Sequence, residues 1–191
     1  MEPKTKTFKV LDSTVILEDY GIGKGGIIIA THGTDMNFSY SWCAMGNDDI
    51  YEFIASIGAD YFTRKLSNNP NVFSARNSVK EIRRYIREDM KYDLPRYKYM
   101  SGQKELRERL SEIKNICDSE REFVDYVSDL HRSLSLFDMD RKEEYEFREL
   151  LKDTFGEAWN FIMHEPSIEI IYLEKLLVEL KKQLSLQPET V

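Results

Sequence analysis

Three residues in the first quarter of the chain are of the types that nucleophilic catalysis needs. His32 could serve as base, Asp35 as the carboxylate that orients it, and Cys43 as nucleophile. A thiol so used must have a lowered pKa and lie open to substrate. No local signature around Cys43 supplies either condition. The plain reading is a strand-end histidine and a small residue on a pleat, so no enzymatic activity is expected. The run Gly21-Ile22-Gly23-Lys24-Gly25-Gly26 has the composition of a phosphate cradle. Such a loop needs four residues between its first glycine and the Gly-Lys pair, then Ser or Thr, then a helix. Here Gly25 follows Lys24 and a β-branched run follows that, so the stretch reads as a hairpin loop. His131 and His164 have no Cys or His at metal-ligand spacing, and neither a metal nor a cofactor is expected. Glu143, Glu144 and Glu146 read as a solvated helix face. Tyr40 and Trp42 could stack on unpaired bases, but their acidic or neutral surroundings favour a place in the core.

Charge gives a stronger positional signal. Arg76, Lys80, Arg83, Arg84, Arg87 and Lys91 fall within a stripe about 100° wide if each residue advances 100° around a helix. Val79, Ile82, Ile86 and Met90 occupy a separate, apolar sector. Six cations on one face could hold a nucleic-acid backbone, a phosphorylated ligand or an acidic patch of a partner. A second stripe, Asp118, Glu122, Asp125 and Asp129, is acidic and could pair with the first or meet a partner of its own. The formal charge of the chain is −7, which opposes general nucleic-acid binding. It is unevenly spread: net −3 over residues 1–70, +5 over 71–117 and −9 over 118–191. Faces of opposite sign have different partners, or partner each other.

The elements that must hold these residues are legible from period. Residues 5–11 suit a first strand with Phe8 and Val10 on one side. Val15 and Leu17 alternate with polar neighbours in a second. Residues 26–32 form a β-branched central strand. Over 37–43, Phe38, Tyr40 and Trp42 alternate strictly with small polar residues. Gly46-Asn47-Asp48 stops that strand and offers a helix cap. Ile50, Phe53, Ile54 and Ile57 follow at helical spacing, on a helix expected to cover the aromatic face, and Asp60 can cap another through Leu66. After the turn-forming linker at 67–71 everything reads helical. The helices are placed at 74–90, then, past a connection around Pro95, at 103–117, from Ser119, and over 145–163 with Leu150, Trp159 and Ile162 in the core. A last helix has Pro166 in its first turn and runs toward Leu184, with the chain fraying beyond Leu186. The fold class is therefore α+β: a small N-terminal antiparallel meander covered by a helix, then a mostly helical two-thirds. One domain is expected over 1–191, with a sheet part at 1–66 and a helical part at 72–187.

The glycine turn, aromatic strand and following helices resemble a family of small bacteriophage and prophage proteins. The residues that carry the resemblance are Gly33, Asp35, Tyr40, Trp42, Gly46, Phe53, Asp60, Tyr61, Lys65 and Leu66. It covers the first third of the chain and brings no activity with it. It implies a phage origin and a host-cytoplasm setting. Composition agrees with the setting. Cys43 and Cys117 lie in different elements, as in a reduced cytosolic protein with buried thiols. The opening MEPKTKTFKV does not read as a signal peptide, and no apolar run approaches the roughly 20 residues of a membrane span. The expected function is a non-enzymatic interaction protein that binds and inhibits a bacterial host protein, of the anti-CRISPR kind. The alternative is a nucleic-acid or nucleotide module that uses the basic face of 74–90.

Overall fold

Alternation puts Phe8, Val10, Val15, Leu17, Ile27, Ile29, Phe38 and Trp42 on one face of four successive strands, and all eight are buried. The computed structural model describes residues 3–46, 49–94 and 98–186. The expectations that fall on Asn47 and Asp48, on the Pro95 connection and on the end after Leu186 lie outside those residues. The strands are β1 (Lys4–Val10), β2 (Ser13–Asp19), β3 (Gly25–Thr31) and β4 (Asn37–Trp42). They form an antiparallel meander in sequence order. The glycine-rich run is the β2–β3 hairpin loop, where Gly21 and Gly23 take the positive φ that glycine accepts cheaply.

The chain divides into two units, one of residues up to Asn71 with those from Pro166 onward, the other of Val72–Glu165. In the first, three helices bury the apolar sheet face: α1 (Ile50–Ser56), α2 (Ala59–Leu66) and α8 (Ile168–Ser185). Asp49 caps α1 by accepting from the amides of Tyr51 and Glu52. The cap of α2 is Gly58, with no side-chain bond, and Asp60 stands instead in its first turn. There a negative charge favours the helix dipole. Trp42 packs edge-to-face on Phe53, ring centroids 5.3 Å apart. At Gly25 an added Cβ would stand 2.8 Å from the Ile50 side chain, so glycine lets α1 close onto β3. Leu173, Leu176, Leu177 and Leu180 of α8 complete this core. Its N-cap is Ser167, so Pro166 falls just before the helix rather than in its first turn. No helix among the described residues is long and apolar enough to cross a membrane.

Two short strands, β5 (Asn71–Phe73) and β6 (His164–Pro166), pair where the chain leaves the first unit and returns to it. The second unit holds α3 (Ala75–Glu88), α4 (Met100–Ile116), α5 (Glu120–Ser128), α6 (Leu130–Ser133) and α7 (Arg141–Phe155). A 3-10 turn over Ala158–Phe161 follows. Ser74, Ser119 and Asp140 cap α3, α5 and α7 with their side chains, each satisfying amides left open at a helix start. Phe123, Phe147 and Phe155 centre a separate core. The expected long helix over 145–163 instead ends at Phe155. Trp159 is consequently outside the core, 55% exposed, while Leu150 and Ile162 pack at its edge. Arg148 is held by Glu144 and donates to the carbonyls of His131 and Leu134 at the end of α6.

Trp42→Ala should cost about 3–5 kcal/mol, as large-to-small aromatic core changes do; a melting temperature equal to wild type would contradict the packing described. Arg148→Met should cost about 2–3 kcal/mol, because charged hydrogen bonds to otherwise unmet carbonyls are lost. Chemical denaturation measures it, and a variant as stable as wild type would show those carbonyls to be satisfied otherwise.

Candidate functional site

Helix α3 buries Ala75, Val79 and Ile82 and leaves its cations outside. The six then separate into two sets. Arg83, Arg87 and Lys91 line a cavity of about 970 Å³ beside α4. Arg76 and Lys80 are exposed away from its lining. Arg84 is engaged on its own helix: its guanidinium donates to Glu81 at 3.0 Å and to Glu88 at 2.9 Å. That bonding holds Arg84 above its ordinary pKa, Glu81 contributing most, and holds Glu81 below the usual carboxylate range. The pairs are exposed and worth little to stability. Their effect is to take Arg84 out of the set of cations free to meet a ligand.

Helix α4 supplies what the stripe lacked. Arg107 lines the same cavity, with Glu108 the one carboxylate among the lining residues. Ile86, Leu94 and Leu110 give it an apolar floor. Two of the cations are held in place. Arg83 Nη2 donates to Ser111 Oγ at 2.6 Å, and Ser111 Oγ donates to the Arg107 carbonyl at 3.0 Å. Arg107 Nη2 donates to Gln103 Oε1 at 3.3 Å, and Gln103 Nε2 donates to the Lys98 carbonyl at 2.8 Å. Among the described residues no carboxylate forms an ion pair with Arg83, Arg87, Lys91 or Arg107. Among the described residues, the result is a groove with four cations and one acid around aliphatic side chains. Arg107 was not legible as part of it, because its neighbours along the chain, Glu105, Glu108 and Glu112, dilute the charge of α4. The available signal was its position beside the buried Leu106 and Leu110, on the helix that follows the basic one.

The acidic stripe is a separate surface. Asp118, Glu122, Asp125 and Asp129 are all exposed. Asp129 pairs locally with Arg132 at 3.6 Å, and Glu122 accepts from the amide of Asp118. No described ion pair joins this stripe to the basic one. Glu144 and Glu146, read as solvated, are structural: Glu144 holds Arg148, and Glu146 accepts from the Tyr99 hydroxyl at 2.9 Å and from Lys98.

His32 and Cys43 do not meet. The β3–β4 register pairs Gly25 with Trp42 and Ala30 with Asn37, so His32 lies past one end of this ladder and Cys43 past the other. At about 3.4 Å per residue the two ends are roughly 20 Å apart. The His32 ring bonds Thr14 Oγ1 at 2.9 Å. Trp42 is buried, and Lys65 stands over Tyr40 and Tyr61 at 5.1 and 5.6 Å from their ring centroids, so these aromatics form no open stacking platform. His131 bonds the Ser128 carbonyl and His164 pairs with Glu120.

A family model described as a phage family matches residues 3–185, and the chain belongs to that family. The likeness therefore extends over nearly the whole chain and not only its first third. No curated protein and no solved structure matches it.

The two thiols should differ in reactivity. Cys43 is exposed. Burial, with Glu122 and Asp118 beside it, pushes the Cys117 thiol up to about 11. Because thiolate is the reactive form, an aromatic disulfide reagent at neutral pH should label one cysteine of the folded protein, Cys43, which is exposed rather than buried as expected. Cys117 should react only on unfolding or as pH approaches 11. Labelling of Cys43 far faster than a free model thiol would reopen a catalytic role for it.

Proposed function

We propose that this member of a phage family acts without catalysis, in the host cytoplasm, by binding and inhibiting a bacterial host protein. A component of host defence, as for an anti-CRISPR protein, is the target class we favour. The observation that carries the reading is the groove between α3 and α4. Its cations are unpaired by any described carboxylate, two are fixed by neutral side chains, and its floor is aliphatic. Such a site is built to receive something anionic that also has apolar surface to bury. The exposed acidic stripe at 118–129 supports the same reading from the other sign, since acidic helical surface can occupy a channel made for nucleic acid. A nucleic-acid or nucleotide module is the alternative, and the same cations would serve it. The net charge of −7 argues against it, and so does the lack, among the described lining residues, of an aromatic ring to stack on a base.

Salt separates the two. Four groove cations could release counterions on duplex DNA with a log–log slope of about −4 at the steepest. Labelled DNA and RNA should show no binding at physiological salt, while affinity capture from a bacterial lysate should retain a specific protein that the Arg83→Glu/Arg87→Glu/Lys91→Glu variant loses. Micromolar nucleic-acid binding at physiological salt, abolished in that variant, would put the alternative first.

A further inference from the structure

We propose that the α3–α4 groove seats an acidic amphipathic helix of the partner protein. The inference rests on the partner-binding reading above and names the kind of segment recognised.

The dimensions suit a helix. On the α4 side the groove runs from Gln103 to Ser111. Eight residues at 1.5 Å each give about 12 Å, or slightly over two turns. Its volume, about 970 Å³, is at the upper end of the range that small ligands fill, about 300–1,000 Å³, and it is open rather than closed over. A groove between two helices is a recurring seat for a third, which enters through apolar residues at i, i+3, i+4 and i+7. Ile86 is the part of the floor such residues would cover, with Leu94 and Leu110 already buried beneath it. Ile86 lies in the apolar sector of α3, yet it is only half-buried, so the free protein leaves part of this floor wet.

Charge selects the sign of the flanks. Arg83 and Arg87 are one helical step of four residues apart, about 6 Å along the axis. Carboxylates at i and i+4 of an incoming helix have the same spacing. Arg107 faces the groove from the other wall, so both flanks of the seated helix would meet cations. Arg83 and Arg107 are already held by Ser111 and Gln103. Less side-chain freedom is then lost on binding. A nucleotide is the weaker occupant, because the described lining residues include no aromatic ring to stack on its base. A wholly polar acidic tail is weaker too, because it would leave the floor in water.

The probe is a labelled synthetic helix with leucines at i, i+3, i+4 and i+7 and glutamates on both flanks. Three controls accompany it: the same composition with leucines dispersed, the leucine helix with lysine flanks, and single-stranded DNA. The full chain should bind the acidic amphipathic helix best. Amide exchange should slow over 83–94 and 103–111. Arg87→Glu/Arg107→Glu, which alters exposed side chains only, should weaken binding by about tenfold or more, as breaking interfacial charge pairs does. Equal binding of the dispersed peptide, tighter binding of the DNA, an unaffected variant, or no binding up to about 1 mM would each overturn the proposal. Host-protein capture that survives Arg87→Glu/Arg107→Glu would remove the groove assignment and leave the partner-binding reading standing. Absence of any captured protein with the wild type would remove that reading itself.

Discussion

A four-stranded sheet with one apolar face cannot leave that face in water, and this requirement arranges the chain. Phe8, Val15, Ile29, Phe38 and Trp42 are buried in one core with residues of the short α1 and α2 and of α8. Burial is worth about 25 cal/mol per Å² of apolar surface, so any part left uncovered would be costly. The last part of the cover is α8, whose four buried leucines come from a hundred residues farther along. Its polar side is tied down as well: Tyr172 donates to Asp12 at 2.7 Å, and Lys181 to the Ile57 carbonyl at 2.7 Å. Residues 72–165 are therefore an insertion between two parts of one unit. The chain leaves and returns through the paired β5 and β6, and the side chain of Glu165 accepts from Ser74 at 2.9 Å and from Asn77 at 3.0 Å.

The insertion must build its own core, and the way it does so creates the groove. Once Ala75, Val79 and Ile82 turn inward, helical period leaves the arginines of α3 at the rim. Helix α4 does the same with Leu106, Leu110 and Ile113 inward and Arg107 beside them. Two amphipathic helices joined in this way leave a furrow whose walls are charged and whose floor is the flank of each apolar stripe. Ile86, Leu94 and Leu110 belong to this body's core cluster or its fringe and also line the cavity. On the proposed reading, packing and recognition share the same side chains.

How much of this was legible depended on whether a signal was local. Strict alternation marked β4, and serine before apolar periodicity marked the starts of α3 and α5. Those signals act within a few residues, where the physics of strands and caps is decided. Trp159 falls outside the core although helical spacing continues past Phe155, because the backbone leaves helical geometry at Glu157. Pro166 was assigned to α8 because it fits a first turn, but Ser167 supplies the better cap. The pairing of α8 with the sheet has no local mark at all, since any leucine-rich helix face reads alike. The site divided in the same way. The basic stripe was visible as periodicity. Which of its cations were free was not, because Glu81 and Glu88 compete for Arg84 on the same helix, and Arg107 joins only through tertiary packing. Register, which is tertiary too, set His32 and Cys43 at opposite ends of one ladder.

On the proposed reading, Arg87 and its neighbours meet carboxylates of a seated helix directly. A charge-swap cycle tests contact rather than general electrostatics. Arg87→Glu is paired with a peptide in which one glutamate at a time is exchanged for arginine, and all four combinations are measured at fixed salt. One peptide position should restore most of the lost affinity, with its neighbours a turn away restoring less. Equal partial recovery at every position would contradict this reading, because that outcome reports net charge alone and no defined seat.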